Sequence, residues 1–237
     1  MKNKFGFILV KTQLGENIGA CARSMKNFGF SKLHIVSPKI NFPNHKTKAT
    51  SVGAYDIINK AKVFDNVEKA IEPFNLVIAL SARRRDINKR HISLQNFQNI
   101  IKKKQNLNIG FMFGPEASGL SNQDLSFSNY IMQIPTSTKF KSLNLSHSLT
   151  VICYEIFKLM NENKTKNNNL NLKISSKAKI ANNVGHLVSL LEKKDFFKPK
   201  EKRHSMILNI NNLIYRLEPN DKELRILASI ISTLSKK

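Results

Sequence analysis

Residues 15–23 combine two glycines with Asn17 and Arg23, a set that can bind a phosphate group. Glycines and a capping Asn at a helix start leave backbone N–H groups free to receive a phosphate. The segment lacks the G-x-x-x-x-G-K-[ST] pattern, so a plain helix cap at Asn17 is the alternative interpretation. Arg23 lies six residues further on. It reaches the same ligand only if it extends back along the helix, and otherwise it is a solvated helix residue.

Residues 109–120 contain a dense apolar run that breaks at Gly114 and turns through Pro115 and Gly119. A loop of this kind at the end of a strand lets a ligand approach the backbone closely. Glu116 lies within the loop, where its carboxylate can accept a hydrogen bond from a ribose or an amine. The alternative is an ordinary turn with an exposed glutamate.

A third segment runs from Ile134 to the start of a long predicted helix at Ser142. Free N–H groups at that helix start, with the side chains of Ser142 and Asn144, can hold a small molecule. Simple capping of the helix by Ser142 is the alternative. A fourth feature, the arginines 83–85 after an apolar run, suggests a phosphate contact or else a solvated basic turn.

Strand-like and helix-like patterns alternate over residues 1–160, which predicts an α/β fold with a parallel sheet. The three segments all follow predicted strands, and open α/β sheets bind ligands at the carboxyl ends of their strands. The predicted strands are residues 5–11, 32–37, 62–64, 75–82, 108–114 and 130–135, and the predicted helices are 17–29, 47–60 and 142–161.

The chain changes character after residue 160. Residues 161–177 are polar and almost without periodicity, which predicts a linker. Beyond them, residues 178–237 have helical patterning alone, with candidate helices at 182–194, 203–217 and 221–235. We therefore expect three parts: a main domain at 1–160, the linker at 161–177 and a small helical extension at 178–237.

The 237 residues include 39 Lys and Arg against 16 Asp and Glu, a formal net charge of +23. A polyanion such as nucleic acid fits this charge, because each phosphate that a cation neutralises releases counterions. A compositional bias competes as an explanation, since 31 of the basic residues are Lys and the chain also holds 28 Asn and 25 Ile. Binding to an anionic membrane surface is a third possibility.

Hydrophobic residues make up 41% of the chain, which is enough to form a core and excludes wholesale disorder. No apolar run approaches the roughly 18 residues that cross a membrane. The two cysteines, Cys21 and Cys153, lie far apart in helical patterns and support neither a disulfide framework nor a zinc site. We expect a cytoplasmic protein without a metal, and nothing indicates an obligate protein partner.

Three motifs occur in order: N-I-G-A-C-A-R, F-G-P-E-A-S-G-L-S and I-P-T-S…K-S-L-N-L-S-H-S. Together they resemble the three motifs of the SpoU branch of SPOUT RNA methyltransferases, over residues 1–160. The helical tail is similar to that of the TrmJ-type tRNA 2′-O-methyltransferases. Two positions depart from that group: Pro115 replaces a common Arg, and Lys141 replaces a common Ser.

The resemblance implies a sheet with a deep trefoil knot, the methyl donor S-adenosylmethionine held in the knot, and a homodimer with a composite site. It implies tRNA as the substrate, methylated on the ribose of the pyrimidine at position 32. Donor-binding residues carried over from the motifs are Leu80, Ser81, Ala82, Gly114, Ile134, Lys141, Ser142 and Leu143. Residues carried over to the methyl-transfer centre are Asn17, Arg23, Glu116, Ser142 and Asn144.

For methyl transfer to a ribose 2′-oxygen, Arg23 is the residue expected to contribute most to catalysis. A guanidinium is a poor base, but it can bind the neighbouring phosphate and stabilise a developing alkoxide. The alternatives are methylation of ribosomal RNA or of another tRNA position, a non-catalytic RNA-binding relative, and a different small-molecule enzyme. The charge disfavours the last of these.

Overall fold

The computed structural model describes residues 4–83, 88–103, 106–162 and 174–235. Within these residues, seven strands form one sheet with the order β3-β2-β1-β6-β4-β7-β5, and every pairing is parallel. The predicted α/β parallel sheet is therefore confirmed. The strands are β1 (Phe5–Val10), β2 (Lys32–Val36), β3 (Lys62–Phe64), β4 (Leu76–Leu80), β5 (Arg90–Ile92), β6 (Ile109–Phe113) and β7 (Tyr130–Met132).

The helices of the described residues cover both faces of this sheet. They are α1 (Gly15–Phe28), α2 (His45–Thr50), α3 (Tyr55–Lys60), α4 (Val67–Ile71), α5 (Leu94–Lys103), α6 (Asn122–Ser126), α7 (Leu145–Glu162), α8 (Lys177–Lys193), α9 (Arg203–Leu217) and α10 (Asp221–Ser235).

Strand β1 shows why the apolar runs of the sequence become central strands. All six of its residues are buried, with β2 on one side and β6 on the other. Side chains alternate along a strand, so Phe7 and Leu9 join a core that includes residues of α1, α5 and α7. Ile8 and Val10 join a second core on the opposite face. A sheet covered on both faces has continuous rather than alternating hydrophobic strands.

Two features of the main fold differ from the sequence expectation. The helix predicted at 47–60 is two short helices, α2 and α3, separated by a turn in which Gly53 adopts a φ of +73°. A left-handed residue cannot continue a right-handed helix, so the apolar periodicity alone overestimated its length. The short elements α4, β5 and α6 were not predicted, because none has the length that makes a periodic pattern visible. Helix α5 was missed as well, although Leu94, Phe97 and Ile101 follow helical spacing within its ten residues.

The C-terminal helices pack on the second face of the sheet. All three helices contribute buried side chains to the core that contains Ile8 and Val10. These side chains are Ile180 and Val184 of α8, Ile214 and Tyr215 of α9, and Leu224 of α10. Helix α8 starts at Lys177, five residues before the predicted start at 182. The side chain of Ser176 caps this observed start. Of the predicted linker, residues 163–173 lie outside the described residues, whereas Ile174, Ser175 and Lys177 are buried. The end of that segment thus belongs to the packed body.

A buried polar cluster fastens α9 to the sheet. The amide of Asn129 donates to the carbonyl of Tyr215 at 2.7 Å, and its oxygen accepts from the backbone N–H of Val77. On the same side, Lys89 is buried and its ammonium donates to the carbonyls of Ser126 and Ser128, each at 2.7 Å. Burial lowers the pKa of Lys89 to about 7, with a smaller contribution from Arg216.

In the part of the chain that the structure describes, no helix is both long and apolar enough to cross a membrane.

Candidate functional site

The strand order brings the predicted segments to one place. Strands β6, β4 and β7 are neighbours and parallel, so their carboxyl ends lie at the same edge of the sheet. A pocket opens there, which we call the strand-end pocket. All eight residues predicted to bind the donor line it: Leu80, Ser81, Ala82, Gly114, Ile134, Lys141, Ser142 and Leu143.

The lining combines three kinds of group. Leu80, Met132, Ile134 and Leu143 provide apolar walls, Ser81 and Ser142 provide hydroxyl groups, and the loop that starts at Gly114 provides exposed backbone. Pockets for small molecules typically pair such apolar walls with a few placed polar groups. The arrangement suits a ligand with an apolar part and several hydrogen-bonding groups.

Gly114 is required by the shape of its own loop. A Cβ atom at this position would lie 2.3 Å from the backbone nitrogen of Leu120 and 2.5 Å from the carbonyl carbon of Gly119. The loop 115–120 therefore folds back directly over the end of β6, which only a glycine permits. From sequence, Gly114 was expected to let a ligand approach the backbone, whereas its closest contact is within the chain.

Glu116 lies on this loop and is linked to the first motif directly and to the third motif through Asn17. Its Oε1 accepts from the amide of Asn17 at 2.7 Å, and the Oδ1 of Asn17 accepts from the amide of Asn144 at 3.1 Å. Its Oε2 accepts from the backbone N–H of Gln13 at 3.0 Å. Since each carboxylate oxygen already accepts a hydrogen bond within the chain, Glu116 first of all holds the site together.

Gln13 is a member of this network that the motifs did not predict. Besides donating its backbone N–H to Glu116, its side-chain oxygen accepts from the backbone N–H of Ala117 at 3.4 Å. It lies between β1 and α1, just before the first motif. That position, at the carboxyl end of a central strand, is the signal that could have identified it.

The predicted cap at Asn17 is wrong. Helix α1 begins at Gly15, with Leu14 as the preceding residue, so Asn17 is inside the first turn and its side chain is free to reach Glu116. The glycines have a packing role. A Cβ at Gly15 would lie 2.5 Å from Asn44 Oδ1, and one at Gly19 would lie 2.1 Å from Thr50 Oγ1. They let α2 approach α1 closely, which accounts for them without a phosphate.

The alternative interpretation of Ser142, as the cap of the long helix, is wrong. Helix α7 begins at Leu145, and the side chain of Asn144 accepts from the backbone N–H of Ser146 at 2.8 Å. Asn144 therefore caps α7 while its amide donates to Asn17. Ser142 remains on the loop before the helix, where it lines the strand-end pocket. A cap and a loop serine are hard to distinguish from sequence, because both are polar residues before an apolar stripe.

Arg23 is the predicted site residue that the structure places elsewhere. It is exposed on α1 and is not among the residues that line the strand-end pocket. Within the described part of the chain, its side chain makes no hydrogen bond or ion pair. The neighbouring residue, Ser24, contacts α7 through a 2.6 Å hydrogen bond between its hydroxyl and that of Thr150. Arg23 thus lies at the outer edge of the layer that α1 and α7 form.

The arginine turn is described only in part. Arg83 is exposed, lines the strand-end pocket, and donates its backbone N–H to the hydroxyl of Ser81 at 3.2 Å. The predicted contacts of Arg84 and Arg85 lie outside the described residues.

Both cysteines are free and buried, and burial raises the pKa of each thiol. A thiol that stays protonated is a poor nucleophile and a poor metal ligand. Among the described residues, no three or more His, Cys, Asp and Glu side chains are grouped so that they could hold a metal ion.

Comparison with known proteins identifies the family. The profile of the SpoU rRNA methylase family matches residues 4–154. A tRNA (cytidine/uridine-2′-O-)-methyltransferase TrmJ of Photorhabdus laumondii is 30% identical over 100% of this chain and 98% of its own. A tRNA (cytidine-2′-O-)-methyltransferase TrmJ of Methanocaldococcus jannaschii is 37% identical over 66% of this chain and 69% of its own.

A solved structure agrees over nearly the whole chain. The crystal structure of TrmJ from Z. mobilis ZM4 has a TM-score of 0.87 and 30% sequence identity, and the match covers 98% of this chain and 99% of that one. The likeness therefore includes the C-terminal helices as well as the parallel sheet. The resemblance inferred from the three motifs is confirmed, and the chain belongs to the SpoU family of RNA methyltransferases, in its TrmJ-type branch of 2′-O-methyltransferases.

Proposed function

We propose that the protein transfers a methyl group from S-adenosylmethionine to a ribose 2′-oxygen of tRNA. The observation that carries this proposal is the junction of the three motifs. The hydrogen bonds from Asn17 to Glu116 and from Asn144 to Asn17 tie the first and third motifs to the second, beside the strand-end pocket. A protein that only bound RNA would need positive charge but not this network.

The strand-end pocket is the proposed donor site. Its apolar walls suit an adenine ring, and its backbone and hydroxyl groups suit the polar edges of a nucleoside and an amino acid. When bound there, S-adenosylmethionine supplies a methyl group from its sulfonium, and the rest of the donor departs as a neutral thioether. The chain's own part is to hold the ligand through Leu80, Gly114, Ile134 and Leu143, with Ser81, Ala82, Lys141 and Ser142 as further contacts.

Arg23 is the proposed catalytic residue. A ribose hydroxyl is far too weak an acid to ionise at neutral pH, so it needs positioning and charge stabilisation. The Arg23 guanidinium can bind the adjacent phosphate with two hydrogen bonds and stabilise the negative charge that develops on the 2′-oxygen. Asn17, Glu116 and Asn144 then act as positioning residues.

A homodimer with composite sites accounts for the location of Arg23. In one chain it is exposed and outside the pocket, so we propose that it reaches the strand-end pocket of a partner subunit. The layer of α1 and α7 also exposes aromatic surface: half of Tyr154 is exposed, and its ring lies 6.1 Å from that of Phe28. Aromatic side chains are enriched at the buried centres of protein interfaces.

We propose further that the path between β6 and α7 forms the trefoil knot of the SPOUT fold. The pocket is built from three chain segments that are distant in sequence, around 80–83, 113–119 and 132–145. Membership of the SpoU family, whose motifs implied the knot, is what supports it. Such a topology is a rare exception among protein folds.

The proposed target is the pyrimidine at position 32 of the anticodon loop, in the cytoplasm. The names of the curated relatives support cytidine or uridine in tRNA. Ribosomal RNA is the second candidate, because the description of the matching family names rRNA.

One experiment separates the candidates. The protein is incubated with labelled S-adenosylmethionine and total RNA, and the modified nucleotide is mapped. Label at one ribose of the tRNA anticodon loop supports the proposal, and the base there decides between cytidine and uridine. Label confined to ribosomal RNA supports the second candidate, and an absence of label under conditions where the protein binds RNA contradicts enzymatic activity altogether.

A further inference from the structure

Phe140 is unusually exposed for an aromatic side chain: 77% of its surface is accessible. Resting on the function proposed above, we infer that its ring stacks on a nucleobase of the RNA substrate beside the methylated nucleotide. Exposed apolar side chains are common on protein surfaces, so we base the inference on the position of this ring beside the strand-end pocket and on the charges around it. An exposed aromatic ring offers a flat face on which a nucleobase can stack.

The loop that carries Phe140 is held by its own hydrogen bonds. The backbone N–H of Phe140 donates to the carbonyl of Ser137 at 3.3 Å, and the N–H of Lys139 donates to the Ser137 hydroxyl at 3.3 Å. The hydroxyl of Thr136 closes the loop by donating to the carbonyl of Lys141 at 3.2 Å. These hydrogen bonds restrict the backbone of the loop while the ring stays exposed, which reduces the entropy lost when a base covers it.

The loop lies at the mouth of the strand-end pocket. It leaves the pocket at Ile134 and returns to it at Lys141, both of which line it. Phe140 is the residue next to Lys141, and adjacent Cα atoms are only about 3.8 Å apart. A ribose whose 2′-oxygen enters the pocket therefore has its neighbouring bases within reach of this ring.

The charges around the ring favour RNA over a second copy of this chain. Lys139 and Lys141 are both exposed on either side of Phe140. Two such loops facing each other would bring four lysines together, whereas a nucleotide offers a flat base to the ring and phosphates to the ammonium groups. Proteins that bind single-stranded nucleic acid combine basic residues with aromatic platforms in this way.

Three substitutions separate stacking from other roles. Phe140→Ala removes the side chain, Phe140→Leu keeps an apolar side chain without a ring, and Phe140→Tyr keeps the ring. The probes are an in-vitro transcribed tRNA and its isolated anticodon stem–loop, with donor affinity measured by calorimetry and dimerisation by sedimentation. Val63→Ala is the control, since Val63 is also exposed but lies on β3 at the far edge of the sheet.

We expect the Kd and KM for both RNAs to rise about 5- to 100-fold in Phe140→Ala and nearly as much in Phe140→Leu. Phe140→Tyr and Val63→Ala should behave as wild type, and donor affinity should stay unchanged. Replacing the stacked base by an abasic site should remove the difference between wild type and Phe140→Ala.

Other outcomes overturn the inference. If Phe140→Leu is as active as wild type, the ring has no stacking role. A weaker donor affinity in the absence of RNA would assign Phe140 to the donor site, and a shift from dimer to monomer would assign it to an interface. Failure of the wild-type protein to methylate tRNA would instead contradict the proposed function. The RNA-binding measurements do not require methylation, so they test the stacking separately.

Discussion

The amide of Asn17 donates a 2.7 Å hydrogen bond to Oε1 of Glu116, across 99 residues of sequence. Asn17 is 7% exposed, so the bond is shielded from competing water. The carboxylate fixes the amide, and the amide oxygen in turn accepts from Asn144 at the start of α7. This one contact thereby couples the start of α1 to the loop over β6 and to the helix that borders the pocket.

The first prediction concerns that coupling. Asn17→Ala, Glu116→Ala and the double variant form a cycle in which the two losses of stability should not add. We expect a coupling of about 1–2 kcal/mol in the free energy of unfolding, since each single variant leaves a partly buried partner unpaired. Urea unfolding measures it. Losses that simply add would mean that the hydrogen bond contributes nothing net.

The second prediction concerns Arg23. Because its side chain is exposed and makes no hydrogen bond or ion pair within the described residues, Arg23→Ala should keep the wild-type Tm and donor affinity. Methyl transfer should fall at least about a hundredfold, as expected when a group that stabilises developing charge is removed. Lys60→Ala, which removes an exposed cation at the end of α3, is the matched control and should remain active.

The third prediction tests whether Arg23 acts in the partner's site. Arg23→Ala is mixed with a variant whose pocket is disrupted, such as Gly114→Val, and the subunits are allowed to exchange. A mixed dimer has one intact site if the arginine crosses the interface, so activity should reappear on mixing. No recovery, with mixed dimers demonstrated by sedimentation of a size-tagged subunit, would place Arg23 and its pocket in the same chain.

The fourth prediction compares two glycines. Gly114→Ala must displace the loop 115–120, because its Cβ would meet backbone atoms at 2.3 and 2.5 Å, and donor affinity should therefore fall. At Gly185, within α8, a Cβ would meet no neighbouring heavy atom within 4 Å. Gly185→Ala should therefore raise stability by about 0.5–1 kcal/mol and leave donor affinity unchanged. Calorimetry and thermal unfolding check both. An unaltered affinity in Gly114→Ala would move the donor site elsewhere.

The fifth prediction is a pH dependence from Lys89. Its pKa is about 7 in the folded protein and has the ordinary value of 10.5 in the unfolded chain. Between these values the unfolded state binds more protons, so the free energy of unfolding should rise as the pH rises above 7. Below 7 the residue is protonated in both states and adds no slope. Urea unfolding across this window should show a smaller rise in Lys89→Met, and identical slopes would contradict the lowered pKa.

The type of fold and the chemistry of the motifs follow from the sequence alone. Continuous apolar runs such as 109–113 are typical of strands buried on both faces, and their alternation with helical patterns indicates a parallel sheet. The three motifs were visible because glycine, proline and polar residues interrupt those runs at strand ends. These are local signals, which depend only on neighbours in the chain.

Which strands are neighbours depends on the tertiary structure, and this order assembles the site. The order β1-β6-β4-β7 brings Asn17, Glu116 and Asn144 within hydrogen-bonding distance, although a different strand order would satisfy the same local patterns. It also explains why Asn17 is not a helix cap, because Asn17 makes a long-range contact where the sequence suggested a local one. The exposure of individual side chains could not be predicted from the sequence either. Arg23 and Phe140 are exposed to solvent, because the packing of the surrounding elements determines which side chains remain uncovered.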